Sequence, residues 1–448
     1  MPALSRSWLS RSNALVMLFF FNALIFSLFL AKTVSAGAGT PASPGPGQAV
    51  PTNYDEAKAG RFTLPDPLVF NNGKPVKTAR EWTKRRRELL QLYAANVYGH
   101  SPKPPKHIRF QVFDTDKEAL AGNAVRKQVT IYFPTPKAEA HEDLLMYIPA
   151  KAPQPVPVIL ALNFGGNQSV NSDPGIKPAT IWAGKPPVRQ QAPEASRGRD
   201  KEFEIEKIVA RGYAFATVCY QDIEPDFPDG YKEGIRELFL KPGQTEPAPG
   251  DWGAIGAWAY GLSRALDYLE KDKDVDAKRV AVMGHSRLGK TALWAGAQDT
   301  RFAMVLANCS GRGGASPWRR NYGETLQRMK QVFPYWFCAN LLQYAGKTDQ
   351  IPVDSDELIA LIAPRPVYIT GAQEDQWADP HGMFMAAVAA GPVYKLLGKE
   401  GLETDQMPAI NQPIMHTIAF HIRDGKHAVT AFDWDQFLAF ADLYLRAP

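Results

Sequence analysis

The chain has 448 residues, 45% hydrophobic and 22% charged, with 37 Pro, 35 Gly and only 3 Cys. That balance excludes a disordered, collagen-like or disulfide-scaffold protein. A net charge of +5, with Lys and Arg scattered, gives no nucleic-acid footprint.

Residues 1–36 read as a secretory signal peptide. Arg6 and Arg11 precede an apolar run from Ala14 to Ala31, and Val34-Ser35-Ala36 offers the small residues that signal peptidase accommodates. The run nearly matches a bilayer span of roughly 20 residues, but its small-residue exit and the loose segment behind it favour cleavage. No Cys lies near that exit to carry a lipid. Residues 37–52 hold the stretch GAGTPASPGPGQAVP and read as a flexible linker. The mature chain is expected to begin near Gly37, in the periplasm or the medium, where a disulfide is permissible. Residues 53–448 show no second linker and no repeat, so one domain is expected.

Within that domain short β-rich runs alternate with helical patterns. Pro155 to Leu162 reads as a strand, and Tyr213 to Cys219, following Gly212, as another. From Trp252 to Leu269 the spacing of Ile255, Trp258, Ala259, Leu262, Ala265, Leu266 and Leu269 predicts an amphipathic helix. Arg279–Met283 and Val367–Thr370 are two further strands. Continuous apolar runs of this length suit strands buried on both faces. The fold class is α/β, with a mostly parallel central sheet covered by helices on both sides.

The sharpest feature is Arg279 to Gly296, RVAVMGHSRLGKTALWAG. A buried strand ends at Met283, Gly284 permits a tight turn, Ser286 sits at its apex and a helix follows. Such an elbow lifts one hydroxyl above the sheet edge and aims a helix N-terminus at it. The usual pattern is G-x-S-x-G; in Gly284-His-Ser-Arg-Leu-Gly289 the second glycine is displaced by one. The stretch GHSRLGKT also satisfies the phosphate-binding pattern G-x-x-x-x-G-K-[ST]. That reading is set aside, because the chain is expected to be exported, where ATP is scarce, and hydrolase partners follow downstream.

A serine nucleophile needs a base and an acid, in the order Ser, acid, His. The loop after Val367–Thr370 offers Glu374, Asp375 and Asp379. Another strand, Thr417 onward, is broken by an Asp424-Gly425 turn, after which His427 precedes a helix from Phe432 to Leu445. That position suits His427 as base, whereas His421 lies within the strand and is expected to be packed. His285, beside the nucleophile, is read as shaping the elbow.

Gly284-His-Ser-Arg-Leu-Gly-Lys290 resembles the G-C-S-R-x-G-K signature of the glucuronoyl esterases, carbohydrate esterase family 15, with His285 in place of Cys. Asn163–Asn167, Trp252–Asp267, Ser310–Ala315, Gly323-Glu324, Pro334–Phe337 and the His427 loop look like further landmarks of that family. The resemblance implies an α/β-hydrolase fold, a three-layer sandwich, with no metal and no cofactor. It also implies hydrolysis of the ester that joins 4-O-methyl-glucuronic acid of xylan to lignin alcohols. Residue by residue, Ser286 matches the nucleophile, His427 the base and Arg287 the oxyanion-stabilising residue. Lys290 and Glu324 match residues that contact sugar hydroxyls, and Trp377 an aromatic lining the sugar pocket.

One departure is informative. Many fungal members place the acid directly before an S-G-x-G-G stretch, where this chain has Cys309. The acid is therefore expected from the later loop, as in some bacterial members, with Asp375 chosen and Glu374 and Asp379 kept as alternatives. Cys309 either pairs with Cys338 or stays a buried thiol. The expected partner is a glucuronoxylan–lignin ester, with no nucleic acid and no membrane after leader cleavage; the oligomeric state is left open, with a monomer expected. Rival readings are an acetyl xylan esterase of the same fold and a carbohydrate-binding pseudo-esterase.

Overall fold

The structure, a computed structural model, describes residues 51–446. The signal peptide expected over 1–36 and nearly all of the linker expected over 37–52 lie outside those residues. No helix among the described residues is long and apolar enough to cross a membrane.

Among the described residues twelve strands follow in order: β1 (Arg109–Glu118), β2 (Ala124–Pro134), β3 (Glu139–Pro149), β4 (Val156–Asn163), β5 (Thr180–Ala183), β6 (Val188–Gln191), β7 (Ala214–Cys219), β8 (Val275–His285), β9 (Met304–Asn308), β10 (Val367–Ala372), β11 (Ile414–Met415) and β12 (Ile418–Arg423). Ten of them form one sheet in the order β1-β2-β3-β7-β4-β8-β9-β10-β12-β11, while β5 and β6 pair as a separate hairpin. The centre from β7 through β4, β8, β9 and β10 to β12 is parallel. On one side β1, β2 and β3 add an antiparallel meander, with Leu144 of β3 opposite Val218 of β7.

Burial explains the centre. Every residue of β4, β7, β9, β10 and β12 is buried, because successive side chains point to opposite faces and helices cover both. Along β8, Val280 and Val282 join one core with Trp258, Leu262 and Trp294. Ala281 and Met283 join the other, with Trp434 and Phe437 of the last helix, Ala431–Tyr444. The helix Ala254–Leu269 begins two residues later than its apolar pattern suggests, because Gly253 is still extended at φ −85°, ψ −179°. Its Trp258 is fully buried and donates Nε1–H to the Glu224 carbonyl at 2.8 Å. Burying a side chain of this kind contributes about 1.5–3 kcal/mol.

Because β8, β10 and β12 run parallel, the loops that leave their C-terminal ends emerge at one edge of the sheet, the usual place for a site in such folds. Those loops carry Ser286, Asp375 and His427. All three cysteines are free and buried, so Cys309 and Cys338 are separate thiols.

Candidate active site

Ser286 sits between β8 and the helix Arg287–Gln298 with φ 58° and ψ −126°. A non-glycine residue held there stores on the order of 1–3 kcal/mol. Backbone bonds over-determine the turn: Ser286 N–H donates to the Asn308 carbonyl at 2.9 Å, and the N–H groups of Gly289 and Lys290 donate to the Ser286 carbonyl at 2.9 and 3.1 Å. The glycines have a steric cause. A Cβ on Gly284 would lie 2.0 Å from the Leu288 carbonyl oxygen, and one on Gly289 would lie 2.9 Å from that of Asn308. The displaced second glycine thus answers to the crossing of the helix over the end of β9, while buried Leu288 fills the core.

His427 follows β12 and its Nδ1 lies 2.6 Å from Oδ2 of Asp375. Asp375 is 5% exposed and follows β10 by a short turn. Burial pushes its carboxyl up, but the hydrogen bond and charge of His427, and a contact from the Cys309 thiol, hold it below the usual carboxylate range. Of the other two carboxylates in that loop, Glu374 is exposed. Asp379 caps the helix Pro380–Leu396 and accepts from Gly382 N–H at 3.0 Å, Ser316 Oγ at 2.9 Å and Arg320 Nε at 3.0 Å. The ligating atoms of Cys309, Asp375 and His427 lie within 4.8 Å of one another, which is metal-capable chemistry. Burial, however, raises the Cys309 thiol well above its ordinary value, so it faces Asp375 as a protonated donor. The His427 ring stacks tilted on His285, the residue before Ser286, with centroids 4.4 Å apart. Ser286 Oγ has no hydrogen-bond partner among the described residues; in unliganded sites such contacts commonly tighten only with substrate bound.

Arg287 opens the helix, so its backbone N–H is among those a helix leaves unpaired within itself. Its guanidinium is pinned by Asp226, which also accepts from Tyr335 Oη at 3.0 Å and Trp336 Nε1 at 2.8 Å. The guanidinium carbon lies 4.9 Å from the Trp336 ring centroid. Burial works against the charge, yet Asp226 and its neighbours raise the Arg287 pKa and keep it cationic. Its Nε–H is buried and has no partner among the described residues. Lys290 Nζ is buried and donates to the Ser310 carbonyl at 2.7 Å and to Glu324 Oε2 at 2.8 Å. Burial lowers its pKa, with Glu324 opposing. Glu324 is tied in turn to half-buried Trp377, whose carbonyl accepts the Glu324 N–H at 2.9 Å.

Several contributors escaped the sequence reading. Asp226 lies in an acid-rich loop after β7, and that position at the site edge was the available signal. Asn308 and Glu202 carried none; they meet His285 only through register and folding. His421 is packed, with Nδ1 2.9 Å from Tyr368 Oη and Nε2 3.0 Å from Asp433 Oδ1.

A serine elbow, an imidazole on a buried carboxylate and a cation with an open donor make a site equipped for acyl transfer. Comparison with known proteins agrees. A family profile described as "Glucuronyl esterase, fungi" matches residues 248–398. The chain is 48% identical over 399 residues to the carbohydrate esterase MZ0003 from an unknown prokaryotic organism, spanning 88% of this chain and 92% of that protein. It is 28% identical over 349 residues to a 4-O-methyl-glucuronoyl methylesterase from Schizophyllum commune, spanning 75% and 74%. The solved glucuronoyl esterase from Solibacter usitatus superposes with TM-score 0.84 at 49% identity, covering 87% of this chain and all of that one. The extent and identity of these matches make the chain a member of carbohydrate esterase family 15, the glucuronoyl esterases.

Proposed function

We propose that this esterase hydrolyses esters of 4-O-methyl-glucuronic acid through a Ser286–His427–Asp375 triad and an acyl-enzyme. The observation that carries the assignment is the 2.6 Å contact between His427 and buried Asp375 beside the strained Ser286 turn. Asp375 accepts Nδ1–H, which leaves Nε2 as the bare, basic nitrogen. As Ser286 Oγ attacks the ester carbon, Nε2 takes its proton; the carbonyl π bond opens to an oxyanion. Backbone N–H and the free Nε–H of Arg287 receive that charge, and such donors are commonly worth about 10²–10³ in kcat. The intermediate then collapses, the C–O bond to the alcohol breaks, and His427 returns the proton to the departing oxygen. Water, deprotonated by the same nitrogen, attacks the acyl-enzyme and releases the uronic acid and Ser286.

Lys290 and Glu324 contact sugar hydroxyls and Trp377 lines the pocket in this reading. The ester is uncharged, so specificity rests on those contacts, and the uronate carboxylate meets Arg287 only in the product. The glucuronoxylan–lignin ester is the natural substrate class, reached by export after cleavage near Gly37; N-terminal sequencing that finds Met1 retained overturns that cleavage. Turnover of benzyl glucuronate by the wild type, with loss in S286A and H427A, tests the function. Activity on acetylated xylan alone would replace it with the acetyl esterase reading, and binding without turnover, unchanged in S286A, with the pseudo-esterase.

A further inference from the structure

Beside the triad lies a buried polar chain that the mechanism above leaves unused. His285 is 6% exposed, and its Nδ1 lies 2.7 Å from Asn308 Oδ1. The Asn308 amide has a fixed orientation, because its Nδ2 donates to Thr370 Oγ1 at 2.8 Å and to the Asp433 carboxylate at 3.1 Å. Its oxygen therefore faces His285, Nδ1 carries the hydrogen, and Nε2 is left as an acceptor. That Nε2 points to Glu202 Oε1, 3.8 Å away. Burial first, and the neighbouring Asp200 second, push the Glu202 pKa up to about 8, with Arg287 opposing. Burial and the nearby His427 push His285 down to about 3. In neutral solution the pair is then a carboxylic acid facing a neutral imidazole.

We propose that Glu202, His285 and Asn308 form a positioning chain for the base, holding the His285 ring neutral and fixed as the wall on which His427 turns its Nε2 toward Ser286. This rests on the triad reading above. The groups that face the chain are few. Asp200 reaches Glu202 from the same loop, where its carboxylate accepts the Glu202 N–H at 2.9 Å, and Arg287 reaches it from the helix start. The last helix contributes Trp434, whose Nε1–H donates to the Glu202 carbonyl at 2.6 Å. His427 in turn is faced by Asp375 and Cys309 as well as by His285. A neutral wall matters because His427 becomes an imidazolium during the reaction. A neutral ring packs beside that cation without a Coulomb penalty, whereas a second imidazolium 4.4 Å away would repel it. Once Glu202 ionises, a carboxylate stands 3.8 Å from Nε2; its charge favours the Nε2–H tautomer and works against the Nδ1–H that Asn308 accepts, so the wall loses its fixed setting.

The test is the pH profile of kcat and KM for benzyl glucuronate in the wild type, H285A, H427A, E202A and E202Q. Gln stays uncharged at every pH, and the partial exposure of Glu202 makes the change easy to accommodate. The wild type should lose kcat on an alkaline limb near the raised pKa of Glu202, about 8; E202Q should keep its activity through that range. H285A and E202A should lose kcat at all pH values, by up to about 10²-fold for a displaced base, with KM little changed. The same alkaline limb in E202Q, or wild-type kcat in H285A, overturns the proposal. Turnover in H427A would instead show that the triad reading itself fails, leaving no base to position.

Discussion

Replacing Asp375 by Asn exchanges one carboxylate oxygen for an NH₂ and should remove the base without moving it. In the native site Oδ2 accepts from His427 at 2.6 Å and Oδ1 faces the Ala378 N–H at 3.4 Å. The Cys309 thiol adds a third donor to the carboxylate. An asparagine keeps only one oxygen, and the Ala378 N–H draws it to its side. The new NH₂ then points at Nδ1, which must become the acceptor, and the proton moves to Nε2. A base already protonated at Nε2 cannot take the Ser286 proton. In a serine protease the same wrong-tautomer substitution costs about 10⁴ in kcat, equivalent to about 5 kcal/mol of barrier. KM should stay close to wild type, since Asp375 is buried at 5% exposure and does not line the surface offered to substrate. Steady-state kinetics on benzyl glucuronate, with a thermal melt to show that the variant folds, measures both. D375N within tenfold of the wild type would refute the tautomer argument and return the acid to its neighbours in the loop.

Arg287→Ala should lower kcat about 10²–10³-fold, the range for removing an oxyanion donor. Asp226→Ala, which frees the guanidinium but keeps it, should give a smaller loss in the same assay. Glu202 has a folded pKa raised from 4.5 to about 8. Its penalty is therefore absent below the unfolded value, grows as pH rises, and is complete above the folded one. E202Q should match wild-type stability at acid pH and exceed it at alkaline pH by up to about 5 kcal/mol, read by denaturant titration. Thiol titration of denatured, unreduced protein should find all three cysteines reactive, because Cys219, Cys309 and Cys338 are each free; a count of one would mean that two are paired.

The centre of the sheet was legible because its strands are buried on both faces and so read as unbroken apolar runs. The meander was not. In β1 no residue is fully buried, and β2 alternates burial along its first half, so neither run announces a core strand. The helix Ala79–Tyr93 escaped for a related reason: it buries only Trp82, Arg85, Leu89 and Tyr93 among charged neighbours. At the site, Ser286 was marked by its flanking glycines and His427 by its place after the final strand. The choice among Glu374, Asp375 and Asp379 could not be made from spacing, since it depends on which carboxylate turns inward and which caps a helix. Asn308 reaches His285 only because the two stand opposite each other in the β8–β9 register. Asp226 reaches Arg287 across 61 positions of chain. Such partners exist in three dimensions and leave no local pattern.

The central claim is that the uronoyl group is carried on Ser286. Mass spectrometry of enzyme quenched in acid during turnover of benzyl glucuronate reads this directly. A uronoyl adduct should appear on the peptide bearing Ser286 and be missing from S286A. An adduct on another residue, or undiminished turnover by S286A, would contradict the account.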